Sequence, residues 1–288
     1  MTRDATPPSL PALLAPLDDD TFFAEHRGRH AVRLPARGLT AFDDLDATAL
    51  ATRGPGHVDV IVGGLATADV PTSAPNGCSL RVRRVQVLDA AVERFARGLA
   101  ASLREEVNVN LYVSPSAETP GLAPHTDPYD LFVLQLRGTK RWELLGDPDG
   151  RLADEPLDLR DGLTIGNCGE LELRSGEVLY LPRGLLHRAH NANPEPSEHL
   201  TVSILVKTVG SCIAWLAAEL DRRLEPRRTL PLGGSRRDYD EVLAELQAAT
   251  GEILSDPARV DAFLAHRDLV EYEGIGLSPL EERIRRRR

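Results

Sequence analysis

The chain has 288 residues, 42% of them hydrophobic and 27% charged, with a formal net charge of −10. That is enough chain for one substantial core and a smaller appendage, and the acidic balance excludes a polyanion binder acting through the whole surface. No run approaches the roughly 18 apolar residues of a membrane span, and "MTRDATPPSLPALLAPLDDD" lacks the basic-then-apolar pattern of a secretory signal, so a cytoplasmic location is expected.

Residues 1–70 mix short apolar pieces with turns. "DDDTFFAEHRG" predicts a short helix with acidic residues at its start, an apolar side from Phe22 and Phe23, and Gly28 at its end. "HAVRLP" and "VDVIVGG" predict short strands, and "PTSAPNGCS" (71–79) a loop. Residues 85–105 have helical period, with Leu88, Ala91, Val92, Phe95, Leu99 and Leu103 on one face. From about residue 107 the rhythm becomes that of strands. "VNVNLYVS" sets Asn108, Asn110 and Tyr112 against Val109, Leu111 and Val113. "DLFVLQL", "KRWELLG", "LELRSGEVLYLP", "LLHRAHN" and "HLTVSILVKT" follow, separated by Gly- or Pro-containing turns. Six or more short strands with tight turns predict an antiparallel sandwich or barrel. After 210 helical period returns in three amphipathic segments, and the chain ends in "RIRRRR". That basic tail is the one place where nucleic acid contact is conceivable, although a solvated tail is the plainer reading. Cys78, Cys168 and Cys212 fit neither a zinc knuckle nor a disulfide framework.

Chemistry concentrates in two places. In "APHTDPYDLF", His125 and Asp127 are two residues apart and share a face if the segment is extended. In "SGEVLYLPRGLLHRAHN", His187 follows a Pro-Arg-Gly turn. Each residue has an ordinary reading: a surface histidine after Pro124, a turn aspartate in "DPYD", a satisfied core histidine. If a small barrel brings them together, two imidazoles and one carboxylate make the facial set of non-haem iron oxygenases, with open positions on the metal.

The composite "APHTDPYDLFVLQLRGTKRWELL … SGEVLYLPRGLLHRAHN … HLTVSI" resembles the JmjC-type cupin family, in particular its ribosomal oxygenase-like 2-oxoglutarate/Fe(II)-dependent hydroxylases. The resemblance is strong over 107–207 and weak in the N-terminal piece. It implies a mainly β fold: a double-stranded β-helix (jelly-roll) at 76–208, preceded by an α/β extension at 1–75 and followed by a helical, dimerising segment at 209–288. It implies Fe(II) on His125, Asp127 and His187. It also implies Lys140 on the C5 carboxylate of 2-oxoglutarate, with Asn110, Tyr112 and Thr201 lining the cosubstrate pocket. Lysine is otherwise found only at Lys207, and read alone Lys140 is a solvated hairpin residue. Trp142 is expected in the core, and His190 and His199 are read as loop histidines, with donors behind the metal ligands as the alternative.

The implied reaction uses O2 to hydroxylate an unactivated C–H of a protein or peptide side chain. Because Asp127 is present, hydroxylation is implied rather than the halogenation performed by relatives that lack the carboxylate. Too little chain follows the helical segments for the extra winged-helix domain of the closest ribosomal oxygenases. A peptide natural product is therefore as good a substrate as a ribosomal protein. The alternatives are a hydroxylase of a free amino acid or small molecule, and a non-catalytic or zinc/manganese cupin acting as a binding module or isomerase.

Overall fold

The computed structural model describes residues 6–67, 78–116, 121–154, 156–160, 162–191, 193–224 and 236–265. The basic tail at 283–288 and most of the 71–79 loop lie outside them; Ser79 opens a strand. The chain divides into two compact units, Met1–Leu205 and Val206–Arg288.

The first unit holds thirteen strands among the described residues: β1 (Val32–Pro35), β2 (Val58–Val62), β3 (Leu65–Thr67), β4 (Ser79–Val82), β5 (Glu106–Ser114), β6 (Asp130–Arg137), β7 (Thr139–Leu145), β8 (Asp158–Arg160), β9 (Leu163–Ile165), β10 (Cys168–Arg174), β11 (Glu177–Leu181), β12 (His187–His190) and β13 (Ser197–Leu205). Ten of them form one sheet in the order β3-β2-β4-β5-β13-β6-β11-β1-β9-β8, and β10-β7-β12 form a second. The named strands pair antiparallel throughout. Leu131 and Val133 of β6 and Leu179 and Leu181 of β11 pack against Trp142 and Leu144 of β7 and Leu171 and Leu173 of β10 in one buried cluster. The two sheets thus close on each other as the expected jelly-roll sandwich.

At β6 and β11 the large sheet is buried on both faces, which explains why "DLFVLQL" and "EVLYL" do not alternate. On its outer face Phe132 and Tyr180 meet Phe22, at ring-centroid distances of 5.8 and 4.9 Å. The segment carrying Phe22 is a helical turn, Asp19–Thr21, capped by the Asp18 side chain and widening into a π-turn at Phe22–His26. The helix Ala90–Leu103 begins at Asp89, whose carboxylate accepts the N–H groups of Ala91 and Val92, as an N-cap should. It buries Val92, Phe95, Leu99 and Leu103; the 85–105 reading was long at its start because Val85–Val87 is a 3₁₀ turn. Between β6 and β7, Gly138 has φ +65°, and a Cβ there would stand 2.2 Å from the Pro196 carbonyl oxygen, so this turn admits only glycine.

The second unit contains the helices Val209–Arg223, Arg236–Ser255 and Pro257–Ala265. Trp215 stacks on Phe263 at 4.9 Å, and Arg223 pairs with Glu252 at 2.7 Å. Val209, Ile213, Leu243 and Leu264 are more than half exposed. Among the described residues no helix is long and apolar enough to cross a membrane.

Candidate metal centre and cosubstrate pocket

His125 and His187, 62 residues apart, are direct cross-strand partners. The N–H of each donates to the carbonyl of the other at 3.0 Å. Partners of this kind project to the same face, and the ring centroids stand 4.6 Å apart. In each ring Nδ1 is committed to a carbonyl: His125 to Ala123 at 2.8 Å, His187 to Leu185 at 2.9 Å. A carbonyl accepts only, so Nδ1 carries the proton and Nε2 presents its lone pair. Asp127 Oδ2 lies 3.8 Å from Nε2 of His125 and 3.6 Å from Nε2 of His187.

Two ligands held at about 2.0–2.2 Å by one ion can be no more than about 4.4 Å apart, and both separations meet that limit. All three ligand atoms lie within 4.8 Å of one another, the only such group among the described residues. Burial lowers the pKa of His187, partly opposed by Asp127 and reinforced by His125; the neutral ring is the form that binds metal. Burial and the nearby Asp127 carboxylate raise the pKa of Tyr129 and keep the phenol protonated. The donor set therefore suits a metal with coordination positions open on its far side.

The triad stands in a cavity of about 140 Å³ between the two sheets, well above the ~10–15 Å³ a single water needs. β5 and β13 furnish one wall in exact register, Asn110 opposite Thr201 and Tyr112 opposite His199. All four side chains line the cavity, as the period-two reading of Asn110, Tyr112 and Thr201 requires. Lys140 enters from β7 and is 3% exposed. Its Nζ donates to the Ser114 hydroxyl, which also bonds Ser79 Oγ at 2.8 Å. Burial brings its pKa down to about 8, and among the described residues no carboxylate offsets that cost. Lys140 is thus a cavity lysine, not a solvated hairpin residue.

Two readings need correction. His199 is no loop histidine. It lies within β13, 4% exposed, its ring stacked on Tyr112 at 5.0 Å and 2°, and burial, reinforced by Lys140, holds it well below the usual histidine pKa. His190 is also in a strand, at the end of β12, 3.5 Å from Glu143 and away from the cavity. Trp142 belongs to the core as expected, yet it also lines the cavity, and its Nε1 has no partner among the described residues.

Sequence reasoning missed Ser114, Tyr129 and Arg81. Ser114 continues the alternation Asn110-x-Tyr112, and Tyr129 continues Asp127-x-Tyr129-x-Leu131, so both were within reach. Arg81 lies on β4, where no strand was read. It pairs with the buried Asp59 at 2.6 Å and lines the cavity beside Tyr112.

Residues 85–211, less than half of the chain, match the family model described as JmjC domain, and the jelly-roll and the His-Asp-His cluster agree with that match. Among its curated relatives, a Dictyostelium discoideum protein named bifunctional lysine-specific demethylase and histidyl-hydroxylase NO66 is 34% identical over 184 residues, 60% of this chain and 34% of that protein. Ribosomal oxygenase 1 of Gallus gallus is 34% identical over 169 residues, 54% of this chain and 28% of that one. The chain thus spans about a third or less of the length of these relatives. Among solved structures, the Escherichia coli ribosomal oxygenase YcfD superposes with a TM-score of 0.61 at 20% identity, covering 86% of this chain and 69% of that one. Its complex with cobalt and 2-oxoglutarate superposes at 0.59, also at 20% identity, covering 88% and 72%. These superpositions establish the shared fold.

Proposed function

We propose that this chain is an Fe(II)- and 2-oxoglutarate-dependent oxygenase that hydroxylates an unactivated C–H bond on a protein or peptide side chain. The observation that carries the reading is the convergence of the two Nε2 lone pairs and the Asp127 carboxylate in one cavity with a buried lysine that has no acidic partner among the described residues. His125, Asp127 and His187 would hold the iron. Bound iron supplies the O2 chemistry, in which 2-oxoglutarate is converted to succinate and CO2 and a hydroxyl is placed on the substrate.

The protein's own groups do the rest. Lys140 pairs with the C5 carboxylate, which relieves the cost of a buried ammonium, and Ser114 holds Nζ in place. Asn110, Tyr112 and Thr201 line the cosubstrate's path. Leu131, Trp142 and Ala189 exclude bulk water from the wall behind it. A protein substrate is supported by the names of the relatives, ribosomal oxygenase and histidyl-hydroxylase; a ribosomal-protein side chain and a peptide natural product are the two candidates.

The division into an α/β extension (1–75), a catalytic jelly-roll (76–208) and a dimerising helical segment (209–288) is part of the same reading. The exposed Val209, Ile213 and Leu243 support the dimer. The test is incubation of the chain with Fe(II), 2-oxoglutarate, O2 and candidate ribosomal proteins or peptides. Release of succinate with a gain of one oxygen atom in intact mass is expected; neither, with any candidate and with zinc retained stoichiometrically, sinks the oxygenase reading.

A further inference from the structure

Of the three converging residues, Asp127 has the weakest hold on its place. His125 and His187 are locked by their mutual backbone pair, whereas residues 126–129 form no ladder. What fixes them is found three residues on. Asp130 is a carboxylate only 3% exposed, and an acid buried so deeply needs partners. Its Oδ1 accepts the backbone N–H of Arg183 at 3.0 Å, and its Oδ2 stands 3.5 Å from Nε of Arg27. The Tyr180 hydroxyl accepts the N–H of Gly28 at 2.8 Å, which ties the start of the loop after Arg27 to β11. One residue beyond Arg183, the N–H of Gly184 donates to the Asp127 carbonyl at 2.9 Å.

The turn that delivers His187 is therefore stitched at two points to the loop that carries Asp127. The carboxylate making one stitch is paired in turn with Arg27. We infer that Asp130 is a positioning residue for the metal-binding triad, setting Asp127 against the two imidazoles, and that Arg27 of the N-terminal extension acts through it. This rests on the proposed metal-binding role of the triad.

The test titrates Co(II) into the full-length apo chain by calorimetry, with thermal midpoints recorded in parallel. Loss of an outer partner of a metal ligand typically costs roughly 10–100-fold in affinity, so Asp130→Ala is expected to weaken Co(II) about tenfold. Asp130→Asn keeps an acceptor for the Arg183 N–H but loses the pairing with Arg27, and recovers part of the affinity. Phe22→Leu trims the same aromatic cluster without touching either stitch; it lowers the midpoint but leaves Co(II) affinity within about twofold, since local effects on a site follow its supporting contacts. Asp130→Ala and Asp130→Asn both binding like the wild type overturns the inference, as does a loss in Phe22→Leu equal to that in Asp130→Ala. A wild-type chain that takes up no Co(II) overturns the metal site itself and the inference with it.

Discussion

Lys140 decides more than any other single residue. Buried and without an acidic partner among the described residues, it tolerates its charge poorly, and a dicarboxylate entering the cavity is the group that reverses this. Lys140→Ala is expected to raise the apparent KM for 2-oxoglutarate at least about tenfold, as loss of a buried charge pair does, with iron content unchanged; equal loss of both would mean the lysine is misassigned. The pH dependence has a fixed sign. Below about 8 the ammonium is charged and holds the carboxylate; above it the charge is lost and KM for 2-oxoglutarate rises. Stability of the cosubstrate-free chain runs oppositely. The folded-state pKa near 8 lies below the ordinary 10.5, so between the two the unfolded chain binds more protons and folding strengthens with pH. The penalty is full below 8 and gone above 10.5. Lys140→Met should flatten that rise in a urea titration across pH 8–10.5. As for what the sequence disclosed at this scale, His125, Asp127 and His187 were legible because alternation and a motif both pointed to them. His199 was misplaced because it stands where a Pro-containing turn meets the "HLTVSILVKT" strand, and only pairing with β5 reveals that β13 begins at Ser197.

The elements that matter are the ones that bring distant segments into register. Ala123 is bonded to Gly64 at the β2–β3 hairpin, and His125 to His187. Just before them, Gly121 passes so close to β12 that a Cβ would fall 1.8 Å from the Ala189 carbonyl oxygen. Gly121→Ala must therefore push the ligand-bearing segment off β12. We predict a thermal midpoint lower by several degrees, in keeping with about 2–4 °C per kcal/mol for a domain of this size, together with weaker Co(II) binding; wild-type values for both would refute it. The long strands β5, β6 and β13 announced themselves by length and apolar content. The three-residue β3, β8 and β9 did not, because so short a segment carries no period to read. The π-turn at Phe22–His26 is equally silent, since its pattern is that of an ordinary helix.

On the scale of the whole molecule, the large sheet of the sandwich is packed against by the N-terminal segment through Phe22 and by the helix Ala90–Leu103. The helical unit at the other end of the chain leaves Val209, Ile213 and Leu243 in solvent. If it serves dimerisation, the full chain should run as a dimer in light scattering, and Ile213→Glu with Leu243→Glu should yield monomers that keep Co(II) affinity; a wild-type monomer contradicts this.

The most direct measurement of the central claim is an anaerobic titration of the chain with Fe(II) and then 2-oxoglutarate, followed by visible absorption. A weak band that saturates at one equivalent of each, is lost in His187→Ala and needs much more cosubstrate in Lys140→Ala, is the predicted result. No band in the wild type, or an unchanged band in His187→Ala, would contradict a ferrous ion shared by His125, Asp127 and His187.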